Sequence, residues 1–100
     1  MEAFRWRRWW TTAGLPALRV MAIEHWDPQN VYDDASRADA YDAYLERVGR
    51  MLRRGKGPGE IARYLGDVRT KAMRLDESDD ADEAFADRVT TWYALERPVS

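Results

Sequence analysis

The sequence predicts an all-α protein: a compact four-helix single domain over residues 15–97, preceded by a flexible, basic and tryptophan-rich tail over residues 1–14. Four segments carry apolar residues at the helical period, and no stretch alternates convincingly at period two. Of the 100 residues, 45% are hydrophobic and 34% are charged, a balance typical of a globular chain rather than a disordered one. A chain of this length usually folds as one domain, so we expect a single core.

The first two helices are bounded by residues that commonly start and stop helices. Pro16 suits the first turn of a helix over residues 15–26, and Pro28 disfavours helical geometry at the residue before it. Ser36 suits the N-cap of the second helix, and Gly55 is a natural C-terminal stop. The apolar stripe of the second helix is the clearest in the chain and consists of Tyr41, Tyr44, Leu45, Val48, Met51 and Leu52.

The other two helices follow a glycine-rich turn and an acidic stretch. The third helix is expected over residues 60–75, after the turn at residues 55–59. The fourth is expected over residues 80–96, because the carboxylates at its start suit the positive end of a helix dipole. Its predicted inner face consists of Ala81, Ala84, Phe85, Val89, Trp92 and Leu95.

Residue types that carry catalysis are scarce. The chain has no cysteine, which excludes disulfides, a thiol nucleophile and a thiolate metal site. His25 is the only histidine, and we expect it at the edge of the core rather than in a nucleophile–His–acid triad. The glycines near residue 57 lack the spacing of a phosphate-binding loop. We therefore predict a non-enzymatic protein with no catalytic residues, no cofactor and no metal site.

The apolar runs in the sequence are short. The longest, residues 20–23, is far below the roughly 20 residues that cross a bilayer. The N-terminal stretch also lacks the continuous apolar region of a signal peptide. We expect a cytoplasmic protein without a membrane span, and its oligomeric state stays open.

Charge is segregated along the chain, although the net charge is only −2. Residues 47–74 contain nine basic and two acidic side chains, whereas residues 75–100 contain two basic and eight acidic ones. The basic side chains can form a patch for phosphates, so nucleic-acid binding is the alternative function. They can equally complement the dipole of the second helix, with the acidic segments folding back to neutralise them. The candidate nucleic-acid-binding residues are Arg47, Arg50, Arg53, Arg54, Lys56 and Arg63.

The N-terminal stretch mixes arginine with tryptophan. Residues 1–12 contain three of the five tryptophans among three arginines. Such a stretch can lie on an anionic membrane or stack on nucleic-acid bases. It also resembles a flexible tail or an unselected translation start, and we expect the tail.

Arg88 falls in the middle of the apolar face predicted for the fourth helix. An unpaired buried charge is costly, so an arginine there needs either a carboxylate partner or a route to water. We expect an ion pair between Arg88 and Asp27 or Asp42. The alternative is that the Arg88 side chain extends to solvent at the edge of the domain.

Acidic and aromatic residues alternate in two short stretches. Tyr41 and Tyr44 lie on the apolar stripe of the second helix, while Asp39 and Asp42 lie one step round on its polar side. Together with Asp27, they can make an acid–aromatic face suited to a cationic group. In the alternative arrangement the aromatic side chains belong to the core and Asp27 caps a turn.

On these stretches, residues 18–75 resemble a family of small bacterial helical domains without an established activity. The shared pattern is W-D-P followed by D-x-Y-D-x-Y, here residues 26–28 and 39–44, and then Glu60-Ile61-Ala62-Arg63-Tyr64-Leu65 and Met73. Gln29-Asn30 stands where the family has a hydrophobic residue and glycine, and Ala40 stands where it has glutamate. The resemblance implies an α-helical fold, and the neutralisation of a toxin is one role associated with small acidic proteins of this type.

The leading prediction is a non-enzymatic protein–protein interaction module, of which an immunity or inhibitor protein is the most concrete form. Its partner is expected to be another protein with a basic surface, with nucleic acid as the second choice. The predicted partner-binding residues are Asp27, Asp39, Tyr41, Asp42 and Tyr44.

Overall fold

The first helix, α1, runs from the start of the range that the computed structural model describes, residues 2–98. It has an α-helical part at Glu2–Trp9, a π-helical turn at Trp10–Gly14 and a second α-helical part at Leu15–His25. The backbone keeps right-handed helical angles through both junctions, with φ −58° at Trp9 and φ −66° at Gly14. The three parts therefore make one continuous helix.

The π-helical turn comes directly before Pro16. Proline has no N–H, and its ring clashes with the carbonyl of the residue four positions earlier in a regular α-helix. In α1 the N–H of Leu15 bonds to the carbonyl of Trp10, five residues back, which widens the turn before the proline. Pro16, from which the sequence predicts the start of a helix, therefore lies inside a longer helix.

The structure corrects the predicted boundary between tail and domain. Residues 2–14 are helical, and Trp10 is only 5% exposed. Trp6 and Trp9 pack against the core from its edge. Residue 1 lies outside the described range. The helical domain therefore includes residues that the sequence assigns to the tail.

The second helix, α2, spans Asp42–Arg53. Its predicted start at Ser36 is wrong, because the N–H and hydroxyl of Ser36 bond to the side chain of Asp34 and form a separate 3₁₀ turn at Ala35–Arg37. The end of α2 matches the prediction: Gly55 has a φ of 79°, a left-handed angle that glycine adopts without strain.

The remaining helices form the most extensive helix–helix contact in the described part of the chain. α3 comprises Pro58–Asp67 with a π-helical continuation at Val68–Ala72, and α4 spans Asp79–Glu96. α4 is rotated relative to its predicted orientation, because Ala84 and Leu95 of the predicted inner face are exposed. The side chains that α4 buries are Asp82, Phe85, Ala86, Val89 and Tyr93.

All four helices contribute to one core, and no strand occurs within residues 2–98. The predicted all-α, four-helix class is therefore confirmed. The Cα radius of gyration, 13.2 Å, is close to the value of about 13 Å expected for one domain of this length. The largest fully buried side chains include Tyr41, Phe85, Leu18, Leu45, Ile61 and Leu65.

Candidate binding surfaces

Asp27 organises the turn that follows α1. Its φ of 35° places it in the left-handed region, where the chain reverses direction. One carboxylate oxygen accepts the N–H of Val31 at 2.8 Å, and the other accepts the N–H of Tyr32 at 3.0 Å. The carboxylate therefore satisfies backbone donors of its own loop, which is the capping role considered as the alternative to partner binding.

Tyr41 ties this loop to the core. Its hydroxyl donates to Oδ1 of Asp27 at 2.7 Å and accepts the N–H of Gln29 at 2.9 Å. Its ring is 2% exposed and lies 5.3 Å from the ring of Trp26. Burial and the hydrogen bond to Asp27 raise the pKa of the Tyr41 hydroxyl above its ordinary value.

Replacing Tyr41 with phenylalanine should lower the free energy of unfolding by about 1–2 kcal/mol at neutral pH. The change removes a hydrogen bond to a carboxylate and leaves the N–H of Gln29 without its acceptor. Urea denaturation followed by circular dichroism measures this loss. Tyr32→Phe is the matched control, because the Tyr32 ring is exposed.

The same variant has a predicted pH dependence. The folded-state pKa of Tyr41 is raised above its unfolded-state value of about 10. The stability that the protonated hydroxyl contributes is therefore fully present below the unfolded-state pKa and is lost as the pH rises through the folded-state pKa. The stability difference between the natural protein and Tyr41→Phe should therefore shrink in alkali. A difference that stays constant up to unfolding would contradict this assignment.

The other three residues of the predicted acid–aromatic face differ in bonding and exposure. Asp42 accepts two hydrogen bonds from Arg19, at 3.0 and 2.7 Å, and these bonds raise the pKa of the guanidinium. Asp39 is exposed and Tyr44 is half-buried. The structure therefore brings the five predicted residues close to one loop and helix start, but three of them already bond to other parts of the same chain.

A buried polar cluster that the sequence analysis missed lies between α1, α3 and α4. Asp82 is 2% exposed and accepts from Nη2 of Arg69 at 3.0 Å and from Nε1 of Trp26 at 2.9 Å. Arg69 is itself 8% exposed, and Trp26 stacks on Phe85 at 5.5 Å. Asp82 is one of three aspartates in the first turn of α4, and only its position on the helix distinguishes it from Asp79 and Asp80.

The predicted ion pair of Arg88 with Asp27 or Asp42 is wrong, and Asp42 pairs with Arg19 instead. Arg88 is exposed on α4 and makes no ion pair within residues 2–98, while Asp27 bonds to its loop and to Tyr41. The error follows from the rotation of α4, which turns the predicted inner face partly toward solvent. Among the residues that the structure describes, the buried arginine is Arg69.

The exposed arginines on α2 and at its C-terminal end have no carboxylate partner in an ion pair among residues 2–98. Arg50 and Arg54 make no ion pair within the described residues, and the guanidinium of Arg47 lies 5.8 Å from the ring centre of Tyr64. Burial raises the pKa of the Tyr64 hydroxyl, although the charge of Arg47 acts in the opposite direction. Two further candidate nucleic-acid-binding residues have other surroundings. Lys56 forms an ion pair with Glu60 at 3.5 Å, and Arg63 lies on α3 rather than α2.

The N-terminal part of α1 packs against α2 at Glu46, Gly49 and Arg53. Trp10 donates to Glu46 of α2 at 2.7 Å, and its ring lies over Gly49. Trp6 stacks on Trp10 at 5.4 Å, and the guanidinium of Arg53 lies 5.1 Å from the Trp6 ring centre. Two basic segments that are about 40 residues apart in sequence therefore meet. We call their exposed arginines the basic end: Arg7, Arg8, Arg47, Arg50, Arg53 and Arg54.

The acidic residues of the second half of the chain lie elsewhere. A cleft of about 490 Å³ between α3 and α4 is lined by six carboxylates and one arginine, Arg63. None of these carboxylates forms an ion pair with the basic end in the described part of the chain. Two of them pair instead with basic residues of α3, Asp82 with Arg69 and Asp67 with Lys71.

Comparison with known protein families, characterised proteins and solved structures found no match. Across residues 2–98, no cluster of three or more histidine, cysteine, aspartate or glutamate side chains is arranged to hold a metal ion. No helix in that range combines the length and apolar character needed to cross a membrane.

Proposed function

We propose that this protein is a non-catalytic binding protein whose basic end binds nucleic acid. The observation that carries the proposal is that α1 and α2, which meet where Arg53 lies over the Trp6 ring, both bear exposed arginines without carboxylate partners among residues 2–98. Phosphate contacts from arginine supply most of the affinity in sequence-independent nucleic-acid binding.

The spacing of the arginines on α2 supports a polyanionic ligand. Arg47 and Arg50 lie three residues apart on one face of α2, and Arg54 caps its C-terminal end, so the three are spread over about 10 Å along the helix axis. A nucleic-acid strand carries one charge per roughly 3.4 Å of axis. This face can therefore contact more than one phosphate of the same strand.

The aromatic residues hold the two basic segments in place. Trp6 and Trp10 form a stacked pair against α2, and the Trp6 indole N–H donates to the hydroxyl of Tyr93 on α4 at 2.8 Å. An arginine stacked on an indole keeps its charge while losing some of its conformational freedom. Arg53 is the basic-end residue fixed in this way.

Fluorescence anisotropy with labelled oligonucleotides tests the proposal. Affinity should fall steeply with salt, and the double change Arg50→Ala/Arg54→Ala should weaken binding and reduce the salt slope by about 2, roughly one per lost phosphate contact. The control is Arg37→Ala/Arg97→Ala, which removes the same charge from exposed positions outside the basic end. Absence of binding at low salt, or equal losses in the two double variants, would reject the basic end as the site.

The leading prediction from the sequence is a basic protein partner. Of the residues predicted to bind it, Asp39 and the half-buried Tyr44 remain available on the surface of this chain. We rank it second because Asp27, Tyr41 and Asp42 are already bonded within the chain. Asp39→Asn is the variant that distinguishes the two functions. Loss of a nuclease-resistant protein partner in this variant, with oligonucleotide binding absent, would reverse the ranking.

A further inference from the structure

Two tyrosines border the arginines of α2. Tyr44 lies three residues before Arg47 and Arg50 lies three residues after it, so Arg47 is flanked by the other two on the helix surface. Tyr64 approaches from α3, and the guanidinium of Arg47 lies 5.8 Å from its ring centre. We call these four residues the tyrosine–arginine cluster: Tyr44, Arg47, Arg50 and Tyr64.

The cluster offers hydrogen-bond donors that no protein acceptor uses. The hydroxyls of Tyr41 and Tyr93 form hydrogen bonds, whereas those of Tyr44 and Tyr64 form none within residues 2–98. No described side-chain nitrogen or oxygen is both buried and unbonded, so these two hydroxyls reach solvent. Both guanidinium groups of the cluster are exposed and make no ion pair in the described range. The cluster therefore presents two cations and two hydroxyls to a ligand.

The polar groups of the cluster act on one another. Burial raises the pKa of the Tyr64 hydroxyl, the charges of Arg47 and Arg50 oppose that rise, and the Tyr44 hydroxyl adds to it. Tyr64 therefore keeps its proton, and its ability to donate, at neutral pH. Glu60 lies one turn before Tyr64 on α3, but its carboxylate pairs with Lys56.

A terminal phosphate matches these donors in charge and in acceptor number. A phosphate monoester carries a charge of about −1.5 to −2 at pH 7 and has three strong acceptor oxygens. A phosphate within a nucleic-acid strand carries about one negative charge and has fewer free oxygens. Two guanidinium groups balance the larger charge, and two hydroxyls can donate to oxygens that the arginines do not use.

We propose that the tyrosine–arginine cluster binds the terminal phosphate at the end of a nucleic-acid strand. The inference rests on the proposed nucleic-acid function and assigns the end of the ligand to one part of the basic end. Arg47, stacked on the Tyr64 ring, contributes a paired N–H contact, and Arg50 contributes the second positive charge. The other arginines of the basic end are left for internal phosphates of the same strand.

Fluorescence anisotropy with one oligonucleotide sequence in three forms tests this assignment: unphosphorylated, 5′-phosphorylated and 3′-phosphorylated. A phosphate at one of the two ends should strengthen binding about tenfold at pH 7.5, because hydrogen bonds between charged groups are strong. The gain should decrease below about pH 6, where the monoester loses its second charge. The end that gives the gain identifies the orientation of the strand.

The double change Tyr44→Phe/Tyr64→Phe separates the cluster from a general effect of added charge. It keeps both rings and every charge and removes only the two hydroxyls. Most of the gain from the terminal phosphate should disappear, while the affinity for the unphosphorylated form and its salt slope stay the same. Tyr32→Phe is the matched control, because the Tyr32 ring is exposed in the loop after α1 and the change should alter none of the three affinities.

Circular dichroism of each variant establishes that the chain is folded. Equal binding of the three forms by the natural protein, or a gain that survives the loss of both hydroxyls, would overturn this inference and leave the basic end as the binding site. Failure to bind any of the three forms at low salt would reject the proposed function and this inference together.

Discussion

Replacing Arg69 with methionine should destabilise the protein by about 3–5 kcal/mol. Methionine keeps much of the apolar stem of Arg69 but removes the guanidinium that donates to Asp82 at 3.0 and 3.2 Å. The carboxylate of Asp82 then stays buried with one remaining donor, Trp26. A buried charge without its counterion is among the most destabilising changes in a folded protein.

Urea denaturation of Arg69→Met measures this loss, and Lys71→Met is its control. Lys71 is two residues away and pairs with Asp67, but that pair is exposed at 3.5 Å, so its removal should cause no measurable loss. The double variant Arg69→Met/Asp82→Leu should recover much of the stability, because no unpaired charge remains. Equal effects of the Arg69 and Lys71 changes would show that the buried pair contributes little.

Replacing Gly49 with alanine should destabilise the protein by about 1–3 kcal/mol, even though alanine is the better helix former. A Cβ at Gly49 would lie 2.6 Å from Cη2 and 2.7 Å from Cζ2 of Trp10. The Trp10 ring cannot move freely, because it stacks on Trp6 and donates to Glu46. The variant must therefore displace the N-terminal half of α1 from α2.

Gly66→Ala is the matched control, with the opposite expected sign. A Cβ there meets only Oδ2 of Asp82 at 3.7 Å, an ordinary contact, so the gain in helix propensity should stabilise the protein by about 0.5–1 kcal/mol. Thermal unfolding and tryptophan fluorescence measure both variants. An unchanged fluorescence spectrum and a stability gain in Gly49→Ala would contradict the packing of Trp10 on α2.

The fold class was predictable because it depends on the period of the apolar residues alone. The stripe of α2 and the stop at Gly55 were read correctly, since the structure buries Leu45, Val48 and Leu52 and gives Gly55 a left-handed backbone. The rotation of α4 was not predictable from its own sequence. Apolar side chains occur on both sides of α4, with Leu95 exposed and Phe85 buried, so periodicity could not show which side enters the core.

The candidate sites depended on pairings between distant residues, which a single sequence does not reveal. Asp82 and Arg69 are adjacent only because α3 packs along α4, and Tyr41 reaches Asp27 only because the intervening loop folds back. The basic end also required the contact between Trp6 and Arg53. Composition indicated that such groups exist, but three-dimensional packing decides which of them meet.

The π-helical turn at Trp10–Gly14 sets the phase between the two halves of α1. The extra residue that it accommodates offsets the second half by about 100° relative to an uninterrupted α-helix. With this offset, Trp10 shares a face with Leu18 and Ala22, all three of which are buried. Loss of one residue from the turn would regularise the hydrogen bonding of the helix and keep this phase, because the step from Trp10 to Leu18 then amounts to about two regular helical turns. The π-helical turn therefore lets α1 include one additional residue while both of its halves keep the same face toward the core.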